Sequence, residues 1–154
     1  MKKTKQTMKV IIAVGGGQKI GKTSTLRMVF DQLNRFGNFR LIVPSTLPIP
    51  APPFDIKAIG TFAGKTIGIE TQGDPNSRQK KSLTDFANAN CDIIICSCRT
   101  RSTTVRNIKD IASKFGYEVI WTSSLFGQTT GINSRKDDLN HAFSDMIMGL
   151  IPKL

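Results

Sequence analysis

The sequence lacks any long hydrophobic run. None approaches the roughly 18 apolar residues that a membrane-spanning helix requires, so we expect no transmembrane segment and no membrane partner. The start resembles a secretory signal only in that basic residues precede an apolar run at residues 10–14. That run leads into glycine and lysine instead of a small-residue cleavage site. We therefore expect a cytoplasmic protein in which residues 1–7 form a flexible basic leader.

Cysteine, histidine and the large aromatic residues are also scarce, with three Cys and one each of His, Trp and Tyr. Cys91, Cys96 and Cys98 are odd in number and have no nearby His, which argues against both a disulfide framework and a metal site. We expect all three to be reduced, with Cys96 and Cys98 on one face of a buried strand. We expect His141 at the surface and Trp121 in the core, although an adenine-stacking role for Trp121 is the alternative.

Acidic residues are few: 11 Asp and Glu stand against 22 Lys and Arg, for a net charge of +11. This excess favours anionic partners such as nucleotides, phosphorylated substrates, nucleic acid or acidic proteins. A solvated, solubility-enhancing surface is the other interpretation. The basic residues form a leader and two later clusters: Lys2, Lys3, Lys5 and Lys9; Arg78, Lys80 and Lys81; and Arg99, Arg101 and Arg106.

The remaining pattern alternates short apolar runs with helical periodicity. The length of 154 residues fits a single domain spanning residues 1–154. Apolar spacing and turn residues predict strands at 10–14, 39–43, 91–98 and 117–124, helices at 21–35, 105–115 and 139–150, a partly helical segment at 75–90, and a β-hairpin near residues 56–71. A proline-rich segment at 44–53 predicts an extended loop, with a lid over a site as the alternative.

Strands that alternate with helices predict an α/β fold, with a mostly parallel β-sheet and helices on both faces. In such sheets, ligands bind at the carboxyl ends of the strands. The glycine-rich segment after the first strand, the segment after Thr71 and the segment after Cys98 all leave the sheet at that edge. The two later basic clusters therefore lie where an anionic ligand is expected.

The glycine-rich segment "GGQKIGKT" (residues 16–23) follows the first strand and opens a helix. It fits G-x-x-x-x-G-K-S/T, in which glycines let consecutive N–H groups surround phosphate oxygens at the positive end of a helix. The lysine reaches the β- and γ-phosphates, and the hydroxyl after it binds Mg²⁺. The predicted nucleotide-binding residues are Gly16, Gly17, Gln18, Lys19, Ile20, Gly21, Lys22, Thr23 and Ser24, with Thr23 as a metal ligand.

This segment resembles the Walker A motif of the P-loop NTPases, although it covers only about the first fifth of the chain. The resemblance implies a P-loop NTPase-like fold, Mg²⁺ and a nucleoside triphosphate that is hydrolysed or whose phosphoryl group is transferred. Members that bind Mg²⁺ have an acid at the end of a later strand. Here "ETQGD" supplies Glu70 and Asp74, with a spacing similar to the D-x-x-G element of small GTPases but with Glu in place of Asp.

We predict Glu70 as a metal ligand, directly or through water, and Glu70 or Asp74 as a catalytic residue; ending a strand is the alternative role for Glu70. Guanine-specific members have N-K-x-D after a later strand, and this sequence has none, so ATP is the expected nucleotide. The partitioning-type ATPases need a lysine ahead of the paired glycines. None is present, and that branch is disfavoured.

Two activities agree with these residues. The first is an ATP-dependent phosphotransferase for a small anionic acceptor, with Lys22 and one of Arg78, Arg99 or Arg101 stabilising the charge on the transferred phosphate. The second is an ATP-dependent switch or ATPase that acts on a protein or nucleic-acid partner. A nucleotide-binding protein with little turnover is the third option. The scarcity of aromatic residues weakens a single-strand nucleic-acid interpretation.

Overall fold

The strands and helices alternate along the chain as the apolar pattern predicts. The computed structural model describes residues 8–15, 22–35, 55–74, 77–99, 103–123 and 136–154. These ranges contain β1 (Val10–Gly15), α1 (Lys22–Arg35), β2 (Lys57–Phe62), β3 (Lys65–Glu70), α2 (Gln79–Asn88), β4 (Ile93–Ser97), α3 (Thr103–Phe115), β5 (Glu118–Ser123) and α4 (Lys136–Leu150), followed by a 3₁₀ turn at Ile151–Lys153. The predicted strand at 39–43 and the proline-rich segment at 44–53 lie outside the described residues.

The five strands form one sheet in the order β2-β3-β4-β1-β5. β1 pairs in parallel with both β4 and β5, and β3 pairs in parallel with β4. β2 is antiparallel to β3 and lies at one edge. The predicted α/β fold with a mostly parallel sheet is confirmed. β4 lies between β1 and β3, so the strand that ends at Glu70 is two strand spacings from β1, about 10 Å.

The predicted hairpin is confirmed as β2 and β3, joined at Ala63 and Gly64. Both residues have positive φ, 52° and 76°. A two-residue turn of this kind matches the twist of the flanking strands. Glycine adopts this conformation freely, whereas alanine at positive φ costs roughly 1–2 kcal/mol. The antiparallel pairing along the whole of both strands offsets that cost.

Helices cover both faces of the sheet, as predicted. On one face, α1 and α4 pack over alternate residues of β1, with Leu26, Phe30 and Phe143 among the largest buried side chains. On the other face, α2 and α3 pack over the intervening residues, with Phe86 and Ile108 fully buried. We call these the α1/α4 layer and the α2/α3 layer. They bury opposite faces of the same strands because successive residues of a strand point in opposite directions.

Polar contacts link the two helices of the α1/α4 layer. The buried Thr25 hydroxyl donates to Asn140 Oδ1 at 3.5 Å. Gln32 Nε2 donates to Ser144 Oγ and to Asp145 Oδ1, each at 3.1 Å. The periodic stripe that α4 turns toward the core thus includes Asn140 and Ser144 beside its apolar residues.

That stripe overturns one expectation. The apolar spacing of Leu139, Phe143, Met146, Ile147 and Leu150 in the sequence predicts an amphipathic helix with Met146 on its core-facing side, but Met146 is 47% exposed. The buried positions of α4 recur at intervals of three and four residues and include Asn140, Phe143 and Ser144. Met146 lies off this stripe because a polar residue, Ser144, takes the core position.

The prediction for Trp121 is also wrong, since this side chain is 47% exposed. Among the described strands, β5 lies at the end of the sheet and pairs only with β1. By contrast, the three cysteines are buried thiols outside any disulfide, and Cys96 and Cys98 share one face of the sheet, as predicted. His141 is exposed, also as predicted. None of the helices within the described ranges is long and apolar enough to cross a membrane.

Candidate functional site at the carboxyl edge of the sheet

The carboxyl ends of the four parallel strands lie at one edge of the sheet. Val14 is level with Ser97, Gly15 with Ser123, and Glu70 with Cys96. The segments that follow β1, β3 and β4 therefore leave the sheet at a common edge. This confirms the common edge that the sequence predicts for the glycine-rich segment, the segment after Thr71 and the segment after Cys98.

The direction of the connections changes between β1 and β4. From β1 the chain runs through α1 toward the β2-β3 side, whereas from β4 it runs through α3 to β5 on the other side of β1. α1 and α3 also lie on opposite faces of the sheet. Adjacent strands whose connections diverge in this way leave a crevice outside their carboxyl ends, where ligands of open α/β sheets bind. Residues 16–21 and 100–102, which leave β1 and β4 here, lie outside the described residues.

The base of this crevice is closely packed. The Cys98 N–H donates to the Val14 carbonyl at 3.0 Å, which continues the pairing of β4 with β1 beyond Ser97. A Cβ atom on Gly15 would lie 3.2 Å from the Thr122 carbonyl and 3.7 Å from Cys98 Sγ. Backbone and sulfur atoms therefore line this position closely, and only a residue without a side chain fits without a shift of its neighbours.

The thiols of Cys96, near this edge, and of Cys91, before the amino end of β4, are poor nucleophiles. Burial raises the pKa of Cys96 well above its usual range, and the neighbouring Cys98 and Glu70 raise it further. Burial likewise raises the pKa of Cys91 to about 12. Because the thiolate is the reactive form, Cys91 and Cys96 are inert packing residues at neutral pH.

Glu70 is completely buried, and both carboxylate oxygens have two donors. Arg78 Nε donates to Oε2 at 3.0 Å and Nη2 to Oε1 at 3.2 Å. Ser82 Oγ donates to Oε2 at 2.5 Å, and the Gln72 N–H donates to Oε1 at 2.9 Å. The carboxylate thus joins the end of β3 to the first turn of α2. A metal or water could contact Glu70 only by displacing one of these donors.

A second polar network connects β3, β4, α2 and α3. Ser97 Oγ donates to the Thr71 carbonyl at 2.7 Å. Gln79 Nε2 donates to the Ser97 carbonyl at 3.0 Å, and its Oε1 accepts from Asn107 Nδ2 at 3.3 Å. A Cβ on Gly73 would lie 2.3 Å from Ser97 Oγ, so glycine allows this close approach. The network fixes the start of both helices against the strand ends.

Asp74 and Arg99 form an ion pair at the mouth of the site. Arg99 Nη2 lies 3.0 Å from Asp74 Oδ1, and Nε donates to the same oxygen at 3.1 Å. The Arg99 N–H donates to Thr104 Oγ1 at 3.0 Å, which places Arg99 directly before α3. Asp74 is 65% exposed. This carboxylate therefore holds an arginine beside the crevice while remaining open to solvent.

The structure brings together Glu70 with Arg78 and Asp74 with Arg99. α1 begins at Lys22, as the motif requires, and Ser24 in its first turn is exposed. The side chains of Lys22 and Thr23, the loop Gly16, Gly17, Gln18, Lys19, Ile20 and Gly21, and Arg101 lie outside the described residues. Their predicted roles remain predictions.

Sequence reasoning missed Ser82, Gln79 and Ser97. Ser82 and Gln79 occupy buried positions on α2 that share a three-and-four spacing with Leu83 and Phe86. Polar residues at core positions of an amphipathic helix were the available signal, because a buried polar group needs a partner.

The acidic residues of this edge do not form a preformed cation cage. The described ranges contain no group of three or more His, Cys, Asp or Glu that could hold a metal ion. Mg²⁺ bound with a nucleotide typically uses only one or two protein groups, together with phosphates and water. A hydroxyl after β1 and a carboxylate two strands away, acting through water, are compatible with that coordination.

Comparison with known proteins gives no match for this chain among family models, curated proteins or solved structures.

Proposed function

We propose that this protein binds a Mg²⁺-complexed nucleoside triphosphate, ATP by preference, and hydrolyses it or transfers its terminal phosphoryl group. The observation that supports the proposal is positional. The G-x-x-x-x-G-K-T segment follows β1 and meets α1 at Lys22, beside the crevice between β1 and β4. Motif and sheet topology are independent, and both favour a phosphate site at this edge.

In this proposal, the loop amides and the N-terminus of α1 bind phosphate oxygens, and Lys22 contacts the β- and γ-phosphates. The Thr23 hydroxyl would hold Mg²⁺, which neutralises charge on the phosphates. Arg99 or Arg101 would stabilise the negative charge spread over the transferred group. Arg99 is available for that role if it exchanges Asp74 for the phosphate.

The Glu70 cluster supports an indirect role for that carboxylate. With both oxygens already accepting two hydrogen bonds, Glu70 can orient a water or hold the metal through water only after Arg78 or Ser82 releases it. Asp74, which has one described partner residue and high exposure, is the more accessible acid. Exchange at Glu70 would also move α2, because Arg78 and Ser82 flank the start of that helix.

This coupling favours the second candidate function, an ATP-dependent switch acting on a partner. The Glu70 carboxylate and the Ser97-Gln79 contact both tie the sheet edge to α2. A rearrangement at the edge would therefore reach the α2/α3 layer directly. A phosphotransferase acting on an anionic acceptor has no comparable specific observation in its favour.

The nucleotide proposal is tested by binding. We expect Mg·ATP at about 100 times its dissociation constant to raise the unfolding free energy by roughly 2.7 kcal/mol. Urea denaturation measures this free energy, and the accompanying rise in melting temperature gives a thermal shift. Lys22→Ala should abolish that shift. Lys153→Ala, which removes an exposed lysine from the 3₁₀ turn, is the matched control and should retain it. An unchanged shift in Lys22→Ala would refute the proposed phosphate site, and a larger shift with GTP would refute the base preference.

Measurement of ADP release distinguishes the switch from the phosphotransferase. We expect the switch to show slow release that a macromolecular partner stimulates, whereas the phosphotransferase would release ADP only with an acceptor. The assay compares protein alone, protein with a panel of phosphate-acceptor metabolites, and protein with nucleic acid, each with the Lys22→Ala variant as the blank. Acceptor-dependent release would overturn the switch.

A further inference from the structure

The two helical layers differ in charge. The α1/α4 layer has four basic and four acidic residues in its helices, so they cancel: Lys22, Arg27, Arg35 and Lys136 against Asp31, Asp137, Asp138 and Asp145. The α2/α3 layer has five basic residues and two acidic ones: Lys80, Lys81, Arg106, Lys109 and Lys114 against Asp85 and Asp110. Of the helix pairs on the two faces, only that of the α2/α3 layer carries a net positive charge, which is three of the chain's eleven.

Four of the five cations in the α2/α3 layer have no acidic partner within the described part of the chain. Lys80, Arg106, Lys109 and Lys114 are exposed and form no salt bridge there, whereas Lys81 pairs with Asp85 at 2.9 Å. An unpaired cation keeps its full charge available for a ligand. These four residues define what we call the basic face.

The basic face spans both helices, and the exposed Asp110 lies between Arg106 and Lys114 on α3. α2 and α3 pack side by side, and the Gln79–Asn107 hydrogen bond joins their first turns. Lys80 follows Gln79 in the chain and Arg106 precedes Asn107, so both cations lie at this junction. From Arg106 to Lys114, α3 extends about 12 Å. The face thus presents positive charge at the helix junction and along one helix.

The chemistry of this face favours a duplex phosphate backbone over a membrane surface or single-stranded nucleic acid. The exposed large hydrophobic residues of the described chain are Met8, Trp121 and Met146, and none belongs to α2 or α3. A membrane-surface helix needs an apolar face to insert, and single-stranded nucleic acid needs aromatic side chains for base stacking. The apolar sides of α2 and α3 are instead buried against the sheet.

We propose that the basic face, Lys80, Arg106, Lys109 and Lys114, binds the phosphate backbone of double-stranded nucleic acid without sequence preference. The interaction is electrostatic and releases counterions from the duplex. Duplex binding by the basic face is separate from the proposed nucleotide site, because it is measurable without nucleotide. Loss of one activity is therefore distinguishable from loss of the other.

The test measures the affinity of the intact protein for a fluorescent duplex by anisotropy, as a function of salt. Four phosphate contacts predict a slope of about −3.6 in a plot of log K against log salt, or a loss of about 150-fold between roughly 50 and 200 mM. In the double variant Arg106→Gln/Lys109→Gln, the slope should become less steep by about 2. The loss of affinity over the same salt range should then be about 12-fold. Duplex DNA and duplex RNA are compared to identify the preferred source of the backbone.

The matched control is Arg35→Gln/Lys153→Gln, which removes the same charge from exposed positions of α1 and the 3₁₀ turn. It should leave the slope unchanged. Equal slope changes in both double variants would show that only net charge matters and would overturn the assignment. The proposal is also overturned if Lys2→Gln/Lys3→Gln/Lys5→Gln alone abolishes binding, or if anionic phospholipid vesicles bind through this face and duplexes do not. Circular dichroism verifies that each variant is folded.

Discussion

The α1/α4 layer and the α2/α3 layer cover the same five-stranded sheet, yet they are attached to it differently. Hydrogen bonds that join α1 to α4 include the neutral contact from Thr25 to Asn140 and the contact from Gln32 to the Asp145 carboxylate. α2 is joined to the strand ends by a buried carboxylate, Glu70, that contacts Arg78 and Ser82. The first layer adds packing, whereas the second also connects the carboxyl edge of the sheet to a charged outer surface.

The largest expected effect comes from breaking the ionic attachment of α2. Arg78→Ala leaves the Glu70 carboxylate buried without its cation, and removal of one partner of a buried pair costs about 3 kcal/mol or more. We expect a loss of about 3 kcal/mol in unfolding free energy, measured by urea denaturation. Asn140→Ala, which removes one neutral contact in the other layer, should cost about 1 kcal/mol. Equal losses in the two variants would remove the distinction between the layers.

A smaller effect is expected from replacing one glycine beside each layer with alanine: Gly68 beneath α2 and Gly149 within α4. A Cβ on Gly68 would lie 2.6 Å from the Phe86 ring of α2, and we expect Gly68→Ala to cost about 1–3 kcal/mol through overpacking. Gly149 in α4 has no atom within 4 Å of the same position, so Gly149→Ala should instead stabilise the protein by about 0.5–1 kcal/mol. Thermal unfolding of both variants measures the contrast. A neutral Gly68→Ala would mean that α2 is free to move away from β3.

The smallest expected effect concerns the pH dependence of the pairing between Lys57 and Asp85. The hydrogen bond from Lys57 at 2.5 Å, together with that from Lys81, lowers the pKa of Asp85. Because the folded-state pKa is lowered, the pair stabilises the protein above the ordinary aspartate pKa, and the effect is lost as pH falls through the folded value. Asp85 is partly exposed, so we expect Asp85→Asn to cost only about 0.2–1 kcal/mol at neutral pH.

The same substitution should have almost no effect at strongly acidic pH, where the carboxyl group is protonated in both states. Urea midpoints of the parent and Asp85→Asn proteins at the two pH values give the comparison. Asp31→Asn, on α1, is the matched control for loss of an exposed carboxylate. A difference between parent and Asp85→Asn that did not change with pH would exclude the ionic contribution.

The sequence was sufficient to predict the elements but not their neighbours in the sheet. Apolar runs such as residues 10–14 and the spacing of Leu26, Val29, Phe30 and Leu33 predict local structure because strand and helix periodicities are local. The position of β4 between β1 and β3 depends on how α2 and α3 pack, and chain order does not determine it. The partners of Glu70 were hidden for the same reason, since Arg78 and Ser82 reach it only after α2 docks.

The errors at Trp121 and Met146 have a related cause. Apolar character placed both in the core, but β5 lies at the end of the sheet among the described strands, and the buried positions of α4 include Ser144 and exclude Met146. The roles of residues 16–23 were predicted from a motif, and they remain predictions for which the crevice at the end of β1 supplies the structural context.

The exposure of Trp121 has a practical consequence. It is the molecule's one tryptophan, so excitation of indole reports from a single place. Trp121 is level with Ala13 of the adjoining strand, two residues before β1 ends at Gly15. With about half of its surface in water, its emission should respond to a quencher and to any change in polarity at the neighbouring loop. The protein therefore contains an intrinsic optical probe beside the proposed nucleotide site, and titrations there need no added label.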